Sequence, residues 1–146
     1  MDELSYPLYE HQYETEQPPF ISTVHGIFTT VELVFGFVLF VWLLRSQINQ
    51  WPQRFATASA WAYSFNGIHI LITASISHLT ATYMPTIFYF VMYQFTAALS
   101  LIAAGIWIVC GARAPNAPKG HGILSIITGG IHGGHFGYTV VSEYIL

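Results

Sequence analysis

The chain has 146 residues, of which 53% are hydrophobic, 16% aromatic and only 8% charged. A soluble domain carries about 25% charged residues because its surface faces water, so most of this chain's surface faces something else. The 4 Lys and Arg and 7 Asp and Glu form no basic run, which excludes a nucleic-acid-binding role, and the single cysteine, Cys110, excludes an internal disulfide.

In chain order, residues 1–20 form an acidic, tyrosine-rich segment containing Glu10, Glu14, Glu16, Pro18 and Pro19, which predicts a solvated, flexible tail. It has no basic stretch ahead of the first apolar run, so it does not read as a cleavable signal peptide. Residues 21–146 form one domain with four apolar spans, at about 21–44, 55–82, 86–112 and 120–144. Each exceeds the roughly 20 residues a helix needs to cross a hydrocarbon core. Glu32 is the only formal charge in the first span, and the second and third have none.

The separators, RSQINQWPQR, TYMP and RAPNAPK, are short and hold Pro52, Pro85, Pro115 and Pro118, where helices stop or start. Trp42, Trp51, Trp61, Tyr83 and Trp107 lie near span ends, as an interfacial aromatic belt would place them. The predicted fold is all-α, an integral membrane four-helix up-and-down bundle. Arg45, Arg54, Arg113 and Lys119 all fall at the first and third separators, which the positive-inside rule puts in the cytoplasm, with both termini on the other side.

The fourth span contains TGGIHGGHFGY, in which Gly129, Gly133 and Gly137 repeat every fourth residue, as do Gly130 and Gly134. Such spacing predicts a helix side nearly free of side chains, a groove that lets a neighbouring helix approach closely. A phosphate-binding loop is excluded, because a nest of backbone N–H groups needs a non-helical turn that lipid does not tolerate.

Intramembrane ionisable groups are costly unless partnered. Counting along each span places Glu32, His69 and His132 near the midplane, with Gln94 slightly nearer one face and His135 one turn from His132. This polar cluster has several readings. It is a hydrogen-bonded knot, a proton or ion path, a haem site with His69 opposite His132 or His135, or a metal site, for which zinc suits Glu32, His69 and His132. The hydrogen-bonded knot is the reading with least special pleading, so no cofactor is expected. His25 and His78, near span ends, read as interfacial. Cys110, at the end of the third span, is a candidate for S-palmitoylation. No nucleophile is paired with a base, so no enzymatic activity is expected.

Two stretches carry a family resemblance. ELVFG at Glu32–Gly36, preceded by FTT at Phe28–Thr30, resembles the first helix of the MAL-like branch of the MARVEL-domain tetraspan proteins, and YQFTAALSLIAAG at Tyr93–Gly105 is similar to the third. The resemblance runs from Ser22 to the C-terminus. It implies a non-enzymatic protein that organises membrane lipids and partner proteins in vesicle trafficking, membrane apposition or cell junctions, in a plasma or vesicle membrane. It also implies a structural role for Glu32, homo-oligomers or other membrane proteins as partners, and cytoplasmic termini, opposite to the charge count. Two other functions fit the same spans: an accessory subunit of a larger channel, receptor or junction complex, and a haem- or metal-binding membrane anchor.

Overall fold

The computed structural model describes residues 19–46, 50–111 and 119–145. The N-terminal tail through residue 18, most of the RAPNAPK separator with Arg113, Pro115 and Pro118, and Leu146 lie outside the described residues. Among those described there is no strand; the elements are α1 (Val24–Arg45), α2 (Trp51–Ile76), α3 (His78–Tyr83), α4 (Phe88–Gly111) and α5 (Gly120–Tyr144). Short 3₁₀ turns precede α1 at Phe20–Ser22 and α4 at Met84–Thr86.

Local chemistry explains the boundaries. Thr23 caps α1, its hydroxyl accepting from the Gly26 N–H at 3.1 Å, and Pro52 sits in the first turn of α2, where its missing N–H costs nothing. The second predicted span, 55–82, is interrupted. Ser77 is extended at φ −117° and ψ 111°, its N–H still bonded to the Thr73 carbonyl while its hydroxyl accepts from the Thr80 N–H at 3.2 Å, so one residue closes α2 and opens α3. The break is hidden in the sequence because the stretch around Ser77 carries no charge, proline or glycine, and Ser77 signals only as a cap.

The four long helices close into a ring in the order α1, α2, α4, α5, with α4 and α5 in the most extensive contact. The inward residues explain the ring. On α1 they are His25, Thr29, Glu32, Gly36, Leu39 and Leu43; on α4 Phe90, Gln94, Ala97, Leu101, Ala104 and Ile108; on α5 His121, Ser125, Thr128, His132, His135 and Thr139. Each series advances by alternating steps of four and three, the 3.5-residue period of left-handed side-chain interdigitation. The seam mixes small and polar residues with a few large apolar ones, Leu39, Leu43, Phe90, Leu101 and Ile108. Bulky apolar side chains such as Ile27, Val34, Phe37, Ile72, Leu99 and Ile127 point outward and are exposed.

The small residues permit close approach. A Cβ on Gly105 would lie 2.5 Å from the Gly122 carbonyl oxygen, and one on Gly122 would lie 2.8 Å from the Gly105 carbonyl oxygen, so α4 and α5 meet backbone to backbone. The Ser125 hydroxyl donates across that seam to the Leu101 carbonyl at 2.7 Å. Around it lies an apolar cluster of Leu39, Leu43, Ala56, Ala60, Leu101, Ala104 and Ile108. This is the half of the bundle next to Arg45, Arg54 and Lys119. A second cluster, Phe20, Ile70, Ala74, Phe90 and Tyr93, packs the opposite half between α2 and α4.

Of the long helices, α1 and α4 are by length and composition apolar enough to cross a membrane, with mean hydropathies of 2.3 and 1.7 over their best windows. The apolar runs of the sequence predict four such spans; α2 and α5 fall short of the same test because Ser, Thr, Gly and His dilute them.

Candidate functional site

The polar residues of α1, α4 and α5 meet in one buried layer. Glu32 is 3% exposed, Gln94 and His135 0%, and His132 2%. The Glu32 carboxylate accepts at both oxygens. Oε1 lies 2.9 Å from His135 Nδ1 and 3.4 Å from His132 Nδ1, while Oε2 accepts from Gln94 Nε2 at 3.1 Å. Gln94 turns its other atom, Oε1, to His132 Nδ1 at 2.6 Å.

Gln94 Nε2 also lies 3.0 Å from His135 Nδ1, and it can donate there only when that nitrogen carries no proton. With Glu32 ionised, the amide and carboxylate oxygens only accept, so His132 and His135 each carry a proton on Nδ1. His135 Nε2 is then left as an acceptor, and His25 Nδ1 stands 3.0 Å from it. Beyond His25, its Nε2 faces Glu143 Oε1 at 3.4 Å, near the open end of the bundle. The rings are held by packing. His135 stacks on Phe28 at 4.8 Å between centroids and meets Phe90 edge-on at 5.3 Å, and His132 meets Tyr93 edge-on at 5.9 Å. The backbone is reinforced by Thr29 and Thr139, whose hydroxyls donate to the His25 and His135 carbonyls at 2.8 and 2.9 Å.

Of the residues proposed for a midplane cluster, Glu32, Gln94, His132 and His135 come together and His69 does not. His69 is exposed on the outer side of α2, its ring edge-on to Phe65 at 4.6 Å. Residue counting gives depth along a helix but not the rotation of a side chain about it. His69 is required by both ligand sets, haem between His69 and His132 or His135 and metal on Glu32, His69 and His132, and neither set is assembled. Among the described residues no group of three His, Cys, Asp or Glu is arranged to hold a metal ion. His25, which reads from sequence as interfacial, is instead 9% exposed and part of the network. The signal is present in the sequence: His25, Thr29 and Glu32 follow the steps of four and three.

The glycine groove divides in two. A Cβ on Gly129 would lie 2.8 Å from Ile102 Cγ1 and 2.9 Å from its backbone nitrogen, so Gly129 is a contact with α4, and Gly133 sits at ordinary distance, 3.7 Å, from the Ala98 methyl. At Gly130, Gly134 and Gly137 a Cβ would meet nothing within 4 Å. Gly130 and Gly134 instead line an outer groove of about 450 Å³ with Ile27, Phe28, Val31, Ile127 and Ile131. Cys110 is exposed near the C-terminal end of α4. The chain matches no protein-family model, no curated protein and no solved structure.

Proposed function

We propose that the chain is a four-span integral membrane protein of MARVEL type, without enzymatic activity, that organises partner proteins in a plasma or vesicle membrane by packing helix faces against them. The observation that carries this reading is the distribution of polarity: Glu32, Gln94, His132 and His135 are inside, while most of the large apolar side chains of α1, α2, α4 and α5 are outside. Only 28% and 39% of the most apolar windows of α1 and α4 are buried within the chain, whereas a core helix of a soluble protein would be mostly buried. In water so large an apolar exterior would drive aggregation; in lipid it is the solvated surface.

The partner reading is supported by His69. An imidazole exposed on an otherwise apolar helix face is costly in hydrocarbon unless another group meets it. Thr73, one turn further along the exposed side, spends its hydroxyl on the His69 carbonyl at 2.7 Å, which leaves the ring as the polar feature a neighbouring transmembrane helix would bond.

The test is native mass in mild detergent together with alkaline extraction of membranes. The wild-type chain is expected to stay with the membrane and to run as a complex heavier than the 16.3 kDa monomer. His69→Leu is expected to run as the monomer with an unchanged helical spectrum. Release by alkali removes the membrane assignment, and an unaltered complex in His69→Leu removes this face as the contact.

A further inference from the structure

Glu143, His25, His135 and Glu32 lie in a row, and each imidazole in it is entered at one nitrogen and left at the other. Glu143 Oε1 to His25 Nε2 is 3.4 Å, His25 Nδ1 to His135 Nε2 is 3.0 Å, and His135 Nδ1 to Glu32 Oε1 is 2.9 Å. We propose that this row is a proton-transfer chain that loads the buried Glu32 carboxylate from the Glu143 end of the bundle only.

The step balances without any co-reactant. A proton from the Glu143 carboxyl group, or from water beside it, bonds to His25 Nε2, and the Nδ1 proton of His25 passes to His135 Nε2. The Nδ1 proton of His135 then passes to Glu32 Oε1. One proton has entered, Glu32 has become a neutral carboxylic acid, and both imidazoles are neutral again in the opposite tautomer. An imidazole can do this because its two nitrogens take and release protons independently. Gln94 cannot, and its place is to hold the Glu32 carboxylate and His132 while the proton moves.

The hydrogen-bonded row of imidazoles ends at Glu32. Past it the inward positions are Gly36, Leu39 and Leu43 on α1 and Ala97, Leu101 and Ala104 on α4, with Leu39 and Leu101 0% exposed, and the buried polar residues towards that end are Ser64, Ser59 and Gln53 on α2 and His121 on α5. The hydroxyls of Ser125 and Thr128 on the facing side of α5 donate to the Leu101 and Leu124 carbonyls. The groups facing Glu32 and its row are therefore few. They are His132, His135, Glu143 and Tyr138 from α5, the last of them beside His25; Gln94 and Tyr93 from α4; Tyr63 from α2 beside His132; and His25 from α1. A one-ended chain does not carry protons across; it makes the charge of the core follow the pH of one compartment.

The relay itself does not depend on the membrane reading, but its sidedness does, so two measurements are needed. In micelles of the full chain, infrared difference spectra after a downward pH jump follow the carboxylic C=O band of Glu32, identified by its loss in Glu32→Gln. His25→Gln keeps a donor and an acceptor but cannot take a proton at one atom and release it from another. It is expected to slow the rise of the band by about a hundredfold or more. In sealed liposomes, with orientation read from impermeant labelling of Cys110 at the opposite end, the wild-type band is expected to answer pH on the Glu143 side alone. An unchanged rate in His25→Gln, no Glu32 band at any pH, or a response from the Arg45 side overturns the proposal. Failure to insert into liposomes overturns the membrane reading instead and leaves the micelle rates to decide the relay.

Discussion

Gly129 and Gly130 are neighbours in sequence, yet adding one methyl group to each should have opposite effects. At Gly129 the new Cβ would meet Ile102 Cγ1 at 2.8 Å, Ile102 N at 2.9 Å and the Ala98 carbonyl oxygen at 3.0 Å. Two of those atoms belong to the α4 backbone, so relief requires α4 and α5 to separate. Overpacking of this kind costs about 1–3 kcal/mol, and backbone obstruction places it at the upper end. The gain in helix propensity from Gly to Ala is about 1 kcal/mol, so Gly129→Ala should destabilise the bundle by about 2 kcal/mol. At Gly130 nothing lies within 4 Å, and only the propensity gain remains. Gly130→Ala should therefore stabilise by up to about 1 kcal/mol, a contrast of about 3 kcal/mol between adjacent positions. Reversible unfolding in mixed detergent micelles, followed by far-ultraviolet circular dichroism, measures both. Equal shifts in the two variants, or a Gly129→Ala protein as stable as the wild type, would refute the assignment of Gly129 to the inner seam.

Three further outcomes are expected. Glu32→Ala takes away the carboxylate that the His135 Nδ1–H and the Gln94 amide share as acceptor, at a cost of about 1–3 kcal/mol in the same unfolding assay. Tyr144→Phe removes the bond from its hydroxyl to the Thr86 carbonyl, 2.7 Å long, and should lower stability by about 1 kcal/mol while increasing hydrogen exchange at the α3–α4 turn. Cys110 is exposed at the same end as Arg45, Arg54 and Lys119. If that end is cytoplasmic, as the charges indicate, an impermeant maleimide will label Cys110 in intact cells only after permeabilisation; labelling from outside would favour the MARVEL topology.

Much of the architecture is legible in the sequence because long apolar runs and prolines mark helices and their ends. The last helix, Gly120–Tyr144, coincides with the fourth apolar run, and the others begin or end within a few residues of theirs. Two things are not legible, for a common reason. The interruption at Ser77 and the outward rotation of His69 depend on direction, whereas hydropathy registers only where along the chain a residue lies. The glycines show the same limit. Their spacing announces a smooth surface, but Gly129 faces α4 and Gly130 the outer groove, a difference of one residue and about 100° of helix turn. The row of histidines is recoverable in principle, since the steps from His25 to Thr29 to Glu32 already follow the inward seam.

The alanines of the interior have a consequence for how this sequence can vary. Ala56, Ala60, Ala97 and Ala104 are at most 1% exposed and line seams where whole helices touch. A familiar core is damaged by subtraction, when a leucine shrinks and a hole opens. At these four positions the sensitive direction is addition, and the seam sets a ceiling on size that Gly, Ala and Ser satisfy alike. Chains that keep this fold should thus diverge freely in bulk and shape on the outside while interchanging only among the smallest residues at these seam positions, so that descent would be recorded in what the seams refuse to let grow.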